Sequence, residues 1–188
     1  MTRAPHAPCP GERRFLGSPS PEEPAIFVNV PSRPRRMQTF LPFADFDETA
    51  AVLDPRRLGK QTIEVLQILR ALTRERYGWK AHPAVRMWAG YEEALGAYGL
   101  AVCRAWCGRG HADTCEAKIR DELAGLGIRR PRRQGALARH GQLPPWLGDE
   151  ALHRSHRAAL LRKDPEWYGF RFSDAPDDDD YVWPVVGS

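Results

Sequence analysis

The sequence contains no long apolar segment. None of its stretches approaches the ~20 apolar residues that a membrane-spanning helix needs. Its first residues also lack the apolar core of a secretory signal. We therefore expect a soluble cytoplasmic protein that has no membrane partner.

Cysteine and net charge are both low. The chain has four cysteines in 188 residues, and inside a cell we expect these to be reduced thiols rather than disulfides. The net charge of +4 permits a nucleic-acid partner without requiring one. Most of the cations are arginine, whose planar guanidinium group suits phosphate better than an ammonium group does.

The composition predicts one globular domain with two polar ends. A hydrophobic fraction of 42% and six tryptophans favour a packed core, and the length suits one domain better than two. We predict a disordered, proline-rich tail over 1–36, a helical domain over 37–175 and an acidic tail over 176–188. Met37 begins the segment MQTFLPFADF, which resembles a natural protein start, so the first segment is also interpretable as an artefact of start-site choice.

Apolar periodicity predicts a mostly helical fold, without a strong strand signal or an internal repeat. The first long helix runs from Pro55 to about Arg76, with Asp54 as its N-cap. Its buried stripe, at a spacing of 3.6 residues, consists of Leu58, Thr62, Val65, Leu66, Leu69 and Leu72. Further helices are predicted at about 91–107, 113–123 and 149–163, with a helical turn after Pro83. The connection at 127–149 is too polar to be core.

Glu64 lies on the side of the first long helix that faces away from the apolar stripe. On a helical wheel it groups with Lys60, Gln67 and Ala71, so we predict that its carboxylate faces solvent or a ligand. A solvated ion pair with Lys60, one turn earlier, is the ordinary interpretation. An active site that handles a polyanion is the alternative.

Three cysteines and one histidine follow one another at intervals of four residues: Cys103, Cys107, His111 and Cys115. All four are good zinc ligands. Residues four apart climb ~6 Å per step along a helix, however, so the four cannot meet at one ion unless the glycines at 108 and 110 break the helix. Buried helix cysteines are the preferred interpretation, and a small helical zinc-binding protein is an alternative.

Three segments, in this order, carry a resemblance to a known family. The first is LDPRRLGKQTIEVLQIL at 53–69, the second is YGWKAHPAVRMW at 77–88, and the third is LLRKDPEWYGF at 160–170. Together they resemble the pyrimidine dimer DNA glycosylases, the family of phage endonuclease V. The resemblance covers about residues 39–172 and implies an all-α, compact single-domain helical bundle of the endonuclease V type. It also aligns Glu64 with the catalytic glutamate of that family.

The resemblance implies a DNA-repair glycosylase that excises damaged bases, such as pyrimidine dimers, from duplex DNA. Glu64 would stabilise the positive charge that develops at C1′ and later assist proton transfer. An amine nucleophile would add AP-lyase activity through a Schiff base and β-elimination. No cofactor is expected. A monofunctional glycosylase and a catalytically silent DNA-binding module of the same fold are the alternatives.

The amine nucleophile is where the chain departs from the family pattern. The phage enzyme uses the α-amine of a threonine exposed by methionine removal, whereas Thr2 here precedes the predicted tail. If translation starts at Met37, the bulky Gln38 should leave that methionine in place, and its amine becomes the candidate. Lys60 is the other candidate, because it lies one turn from Glu64 and neighbouring arginines would lower its pKa. A phosphate contact is its alternative role.

Basic and aromatic residues predict that a monomer binds double-stranded DNA, with nucleoid association when bound. The predicted phosphate contacts are Arg56, Arg57, Arg86, Arg162 and Lys163, with an outlying patch of Arg129, Arg130, Arg132 and Arg133. Gln67 and His82 are further candidates, although His82 is equally suited to orienting its loop through a buried hydrogen bond. A distorted or flipped base would stack on Trp167 and Tyr168, whose alternative role is packing on the core.

Overall fold

The structure is a computed structural model that describes residues 37–173 and 181–184. The predicted tail at 1–36 lies outside the described residues, as does most of the predicted acidic tail at 176–188. Among the described residues, no helix is both long enough and apolar enough to cross a membrane.

The described part of the chain is all-α, as predicted, with eight helices and no strand. In chain order these helices are α1 (Phe46–Val52), α2 (Pro55–Thr73), α3 (Pro83–Arg86), α4 (Glu92–Gly108), α5 (Glu116–Gly125), α6 (Gln134–Arg139), α7 (Glu150–Lys163) and α8 (Pro165–Tyr168). The long central pair is α2 and α4, and their buried side chains form the middle of the core.

Helix α2 begins where the sequence predicts it. The Asp54 carboxylate accepts hydrogen bonds from the backbone N–H groups of Arg56 and Arg57 at 3.0 and 3.1 Å, and Pro55 fills the first helical position. The apolar stripe is buried against α4, where Gly99 allows close approach. A Cβ atom at Gly99 would lie 2.5 Å from Val65 Cγ1, so the glycine sets the distance between the two helices.

Three short helices, α1, α6 and α8, were not predicted. Each has at most seven residues, so apolar periodicity has fewer than two full turns in which to appear. Helix α6 also corrects the prediction that residues 127–149 stay out of the core, because Leu137 is fully buried. One apolar side chain is enough to anchor a helix of this length, and the polar composition around it hides the contact.

Residues 37–42 have no regular secondary structure, yet they run through the centre of the protein. Met37, Phe40 and Leu41 are buried there. Since this segment has no strand or helix partners, its backbone groups depend on side chains for hydrogen bonds. The fold supplies these side chains from three directions, which fixes the segment in place.

Helices α4 and α7 hold Phe40 and Leu41 of the 37–42 segment through buried side chains. The Tyr98 hydroxyl donates to the carbonyl oxygen of Phe40 at 2.9 Å. His156 Nδ1 accepts from the Leu41 N–H at 2.9 Å, and the Leu41 carbonyl accepts from His153 Nδ1 at 2.8 Å. Each of these side chains is buried, so the segment is held by bonds that water does not weaken.

Candidate active site

Glu64 lies in the interior, so of the two predicted surroundings, solvent or a ligand, exposure to solvent is wrong. Its exposed fraction is 4%. The helical wheel failed because the 37–42 segment covers α2 at this point, where Gln38 and Phe40 bond to Glu64 and Gln61. Lys60 remains exposed at the rim. The carboxylate of Glu64 therefore lies where the buried core meets the exposed ammonium group of Lys60.

Three donors hold the carboxylate of Glu64. The Gln38 N–H donates to Oε1 at 3.4 Å, and Lys60 Nζ lies 3.2 Å from the same oxygen. Gln61 Nε2 donates to Oε2 at 2.5 Å. The carboxylate is thus oriented by its own helix on one side and by the 37–42 segment on the other.

The protonation of Glu64 differs from that of a surface glutamate. Burial raises its pKa above the ordinary value of 4.5, and the ammonium group of Lys60 and the hydrogen bonds only partly offset this. Burial, followed by the charge of Glu64, also raises the pKa of the Tyr98 and Tyr181 hydroxyls, which puts both phenols near the carboxylate. A carboxyl group with a raised pKa keeps its proton to a higher pH than a surface glutamate does, which suits it to proton transfer.

Of the two candidate amines, Lys60 contacts this carboxylate, and Met37 precedes the residue whose N–H donates to it. The Lys60 side chain is 58% exposed and forms the ion pair with Glu64. Met37 is buried, and its nitrogen lies no more than about 4 Å from the Gln38 nitrogen, since three covalent bonds join the two. The structure therefore brings Met37, Lys60 and Glu64 together, while their chemical roles stay predictions.

Gln61 belongs to this site although the sequence analysis did not select it. Its Nε2 also donates to the Gln38 carbonyl at 2.9 Å, and its Oε1 accepts from the Phe40 N–H and the Tyr98 hydroxyl, both at 2.9 Å. The side chain links α2 to the 37–42 segment and orients Glu64. The sequence did contain a signal for this role, because Gln61 lies three residues after Leu58 and so falls on the buried stripe of α2.

The predicted phosphate ligands divide into exposed and buried residues. Arg56, Arg86, Arg162 and Lys163 are exposed and Gln67 is half-buried. Lys163 Nζ also lies 5.9 Å from the ring centre of Phe40, which connects the end of α7 to the 37–42 segment. A role for these residues in binding DNA stays a prediction.

Arg57 is committed to the fold rather than to a phosphate. Its Nη1 donates to Asp54 at 2.9 Å and to Asp164 at 3.2 Å, and its Nη2 donates to the Lys163 carbonyl at 2.9 Å. Only 13% of the side chain is exposed. The predicted phosphate contact is therefore corrected: the guanidinium group ties the start of α2 to the end of α7.

Tyr168 is fully buried, so its ring cannot stack on a base, and that prediction is also corrected. Its hydroxyl donates to Asp54 Oδ2 at 2.6 Å, and its ring stacks on Phe172. Trp167 is half-buried, and its indole N–H donates to the Val52 carbonyl at 3.0 Å. Tyr168 therefore has the alternative role predicted for it, in which the C-terminal turn packs on the core.

His82 caps the short helix α3. Its Nδ1 accepts from the Ala84 N–H at 3.1 Å, and burial lowers the pKa of the imidazole below its ordinary value. The ring is half-buried, so this contact agrees with the loop-orienting alternative. A direct contact with DNA stays a prediction.

Only three of the four arginines in the outlying patch are exposed. Arg129, Arg130 and Arg133 are exposed, but Arg132 Nη2 lies 2.5 Å from a carboxylate oxygen of Glu93. The Arg132 backbone N–H donates to the same side chain at 2.9 Å. Arg132 thus attaches the connection before α6 to α4.

The cysteine and histidine run does not assemble a metal site. Cys103 and Cys115 are buried and Cys107 is exposed, while the His111 ring stacks on Trp106 with centroids 3.9 Å apart. Within the described residues, no group of three His, Cys, Asp or Glu side chains is arranged to hold a metal ion. The zinc alternative therefore finds no support in this part of the chain.

One comparison with known proteins gives a match. Residues 37–119 match the family model described as pyrimidine dimer DNA glycosylase, which confirms the resemblance and supports a function of that type. The match covers somewhat less than half of the chain and ends within α5. It includes Glu64 and Lys60 but not the third motif at 160–170. No curated protein and no solved structure matches the chain significantly.

Proposed function

We propose that this chain, whose residues 37–119 match the pyrimidine dimer DNA glycosylase family, excises damaged bases such as pyrimidine dimers from duplex DNA. We further propose that it nicks the resulting abasic site as an AP lyase. The observation that carries the proposal is the buried carboxylate of Glu64 beside two candidate amines. A glycosylase needs a negative charge next to C1′, and a lyase needs an amine at the same place.

The proposed role of Glu64 begins with electrostatics. Breaking the bond between a base and its sugar leaves positive charge on C1′ and the ring oxygen. A carboxylate that is already oriented and shielded from water stabilises this charge more strongly than an exposed carboxylate would. The hydrogen bonds from Gln38 and Gln61 hold the carboxylate in position before the substrate arrives.

The amine completes the reaction. Its nitrogen lone pair forms a bond to C1′ as the glycosidic bond breaks, and the base leaves with the bonding electrons and takes up a proton. Ring opening then gives an imine between the amine and C1′. In the proposed lyase step, Glu64 removes a proton from C2′, and the electrons expel the 3′ phosphate, which nicks the strand.

We favour the Met37 amine over Lys60 as the nucleophile. Met37 is at the start of a segment fixed by buried side chains, and a fixed amine meets C1′ at little entropic cost. Lys60 is largely exposed and already paired with Glu64. This preference requires a protein whose first residue is Met37, because a preceding residue turns that amine into an amide.

The proposed substrate is double-stranded DNA bound by a protein monomer. Four exposed cations, Arg56, Arg86, Arg162 and Lys163, lie in the matched motifs or at the end of α7. Guanidinium and ammonium groups neutralise phosphates and release counterions, so binding should weaken steeply as salt rises.

The proposal is tested with three duplexes that share one sequence. The first carries a single thymine dimer, the second an abasic site at the same position, and the third is undamaged. We expect cleavage of the glycosidic bond on one side of the dimer, with that base still joined to its neighbour through the cyclobutane ring, nicking of the abasic duplex, and no reaction with undamaged DNA. Tight binding without any reaction would instead identify a catalytically silent DNA-binding module, and the absence of both binding and reaction would overturn the proposal.

A further inference from the structure

A row of five aromatic rings connects the protein surface to the neighbourhood of Glu64. The ring centroids are 5.6 Å apart for Trp79 and His82, and 5.9 Å apart for His82 and Trp183. The row continues from Trp183 to Tyr181 at 4.6 Å and from Tyr181 to His156 at 4.3 Å. The loop before α3, residues near the C-terminus and α7 all contribute to it.

The inner end of this row is built into the candidate active site. The Tyr181 hydroxyl donates to the Thr39 carbonyl at 2.9 Å, and Thr39 follows Gln38, whose N–H reaches Glu64. His156 holds the same segment through the Leu41 N–H. The inner rings therefore bond to the same 37–42 segment that donates to the carboxylate.

The outer end of the row is a strained and exposed tryptophan. Trp79 has a φ angle of 73°, and among the described residues it is the only non-glycine with a positive φ. The left-handed conformation costs roughly 1–2 kcal/mol for a residue with a side chain. The fold does not recover this cost by burying the indole, because 43% of Trp79 remains exposed. A bulky residue kept in such a conformation indicates a functional constraint.

The surroundings of Trp79 fit a nucleic-acid base. Lys80 and Arg86 are exposed on either side of His82, so cations for phosphates lie beside an aromatic face. His82 is held in place by its cap on α3, which supports the indole edge-on. Stacking on an aromatic side chain contributes about 1–3 kcal/mol per base and tolerates any base, since every base has a π face.

We propose that Trp79 is a lesion-recognising residue that stacks on an unpaired base of the damaged duplex while the sugar of the lesion lies at Glu64. This inference rests on the proposed function and adds a contact outside the carboxylate site. Base pairs at a lesion are weakened, so an unstacked base is cheaper to bind there than in undamaged DNA. The stack therefore contributes to the preference for damage.

Replacing Trp79 by glycine separates this role from a structural one. Glycine adopts a φ of 73° without strain, so Trp79→Gly should unfold at the same or a higher denaturant concentration than the wild type. We expect about tenfold weaker binding to a duplex with a stable abasic analogue, and less than a twofold change for the undamaged duplex. Trp79→Phe, which keeps an aromatic face, should recover most of the loss.

The control is Leu126→Ala, which changes a side chain of similar exposure, 44%, at the end of α5. It should leave the binding of both duplexes unchanged. If wild-type protein excises dimers and Trp79→Gly keeps the full preference for damaged DNA, the inference is wrong and the proposed function stands. If the wild-type protein neither binds nor cleaves damaged DNA, both are overturned.

Discussion

The start and the middle of helix α2 each bury a carboxylate, and the two carboxylates behave in opposite ways. Asp54 and Glu64 are both 4% exposed. Burial raises the pKa of Asp54, but hydrogen bonds from Tyr168 and Arg57 outweigh it and the pKa falls below its ordinary value. At Glu64 burial prevails and the pKa rises. The carboxylates of Asp54 and Glu64 are therefore equally exposed but lie in different environments.

The difference comes from the donors around each carboxylate. Asp54 meets the largely buried guanidinium of Arg57, the Tyr168 hydroxyl and two backbone N–H groups, so its charge is fully compensated within the fold. The cation beside Glu64 is Lys60, which is more than half exposed. We infer that Asp54 holds the structure together, while Glu64 keeps a charge available for chemistry.

The largest expected effect is on catalysis at Glu64. Glu64→Gln keeps the size of the side chain but removes the charge that would stabilise the cation at C1′. Base excision in single turnover should fall ~10²–10³-fold, about 3–4 kcal/mol, with DNA binding unchanged. The matched control is Glu116→Gln on α5, which should excise normally. A Glu64→Gln rate within a few-fold of wild type would rule out the catalytic assignment.

The Asp54 end should lose stability instead. Asn is a good N-cap, so Asp54→Asn removes the charge facing Arg57 while keeping the cap. We expect the free energy of unfolding in urea to fall by about 2–3 kcal/mol. Asp45→Asn is the control, because Asp45 caps α1 from an exposed position and should cost little. Equal losses in the two variants would contradict the contrast drawn here.

The opposite pKa shifts predict opposite pH dependences. A raised pKa means that the contribution of Glu64 to stability is full below 4.5 and is lost as the pH rises through the folded-state value. Asp54 contributes fully above 3.8 and loses its contribution as the pH falls through its lowered value. In urea unfolding from pH 3 to 7, the free energy of unfolding of the wild type should fall relative to that of Glu64→Gln as the pH rises. Relative to that of Asp54→Asn, it should fall as the pH decreases. Parallel curves for all three proteins would refute both shifts.

The sequence predicts α2 well and its surroundings poorly. The N-cap, the proline and the apolar stripe are local signals, and they correctly placed the start of the helix and most of its buried face. The 37–42 segment has no periodicity, since its hydrogen bonds go to side chains more than 20 residues away. A helical wheel cannot show that another segment covers a helix face, and for that reason it predicted that Glu64 faces solvent or a ligand.

The same limit explains the errors at Arg57 and Tyr168. Both residues fit a DNA-binding surface by type, because arginine suits phosphate and tyrosine stacks on bases. Their partner is Asp54, which lies 114 residues before Tyr168 and is identified in the sequence only as an N-cap. Residue type predicts what a side chain is able to bind, and tertiary structure decides which partner it meets.

A smaller effect concerns DNA binding at the end of α7. Arg162 and Lys163 are exposed there, beside the carbonyl that Arg57 contacts. Replacing both by alanine should flatten the slope of log affinity against log salt by ~2, if each touches one phosphate. The paired control replaces Arg129 and Arg130. A flattened slope in that control, with none in the first variant, would move the DNA to the arginine patch.

The central claim is that chemistry takes place where Glu64 meets the 37–42 segment, and the amine that attacks C1′ tests it most directly. Borohydride reduces the imine and joins protein to abasic DNA, so peptide mapping identifies the residue. In protein that begins at Met37 we expect the adduct on the Met37 amine, with Lys60→Ala still trapping DNA. Full-length protein should trap less, because its Met37 nitrogen is an amide.

Equal trapping by the full-length protein would exclude the Met37 amine. Loss of trapping in full-length Lys60→Ala, with binding intact, would then assign the reaction to Lys60, which still lies 3.2 Å from Glu64. Retained trapping in that variant, with the adduct mapped to Thr2 or to a lysine other than Lys60, would contradict the account.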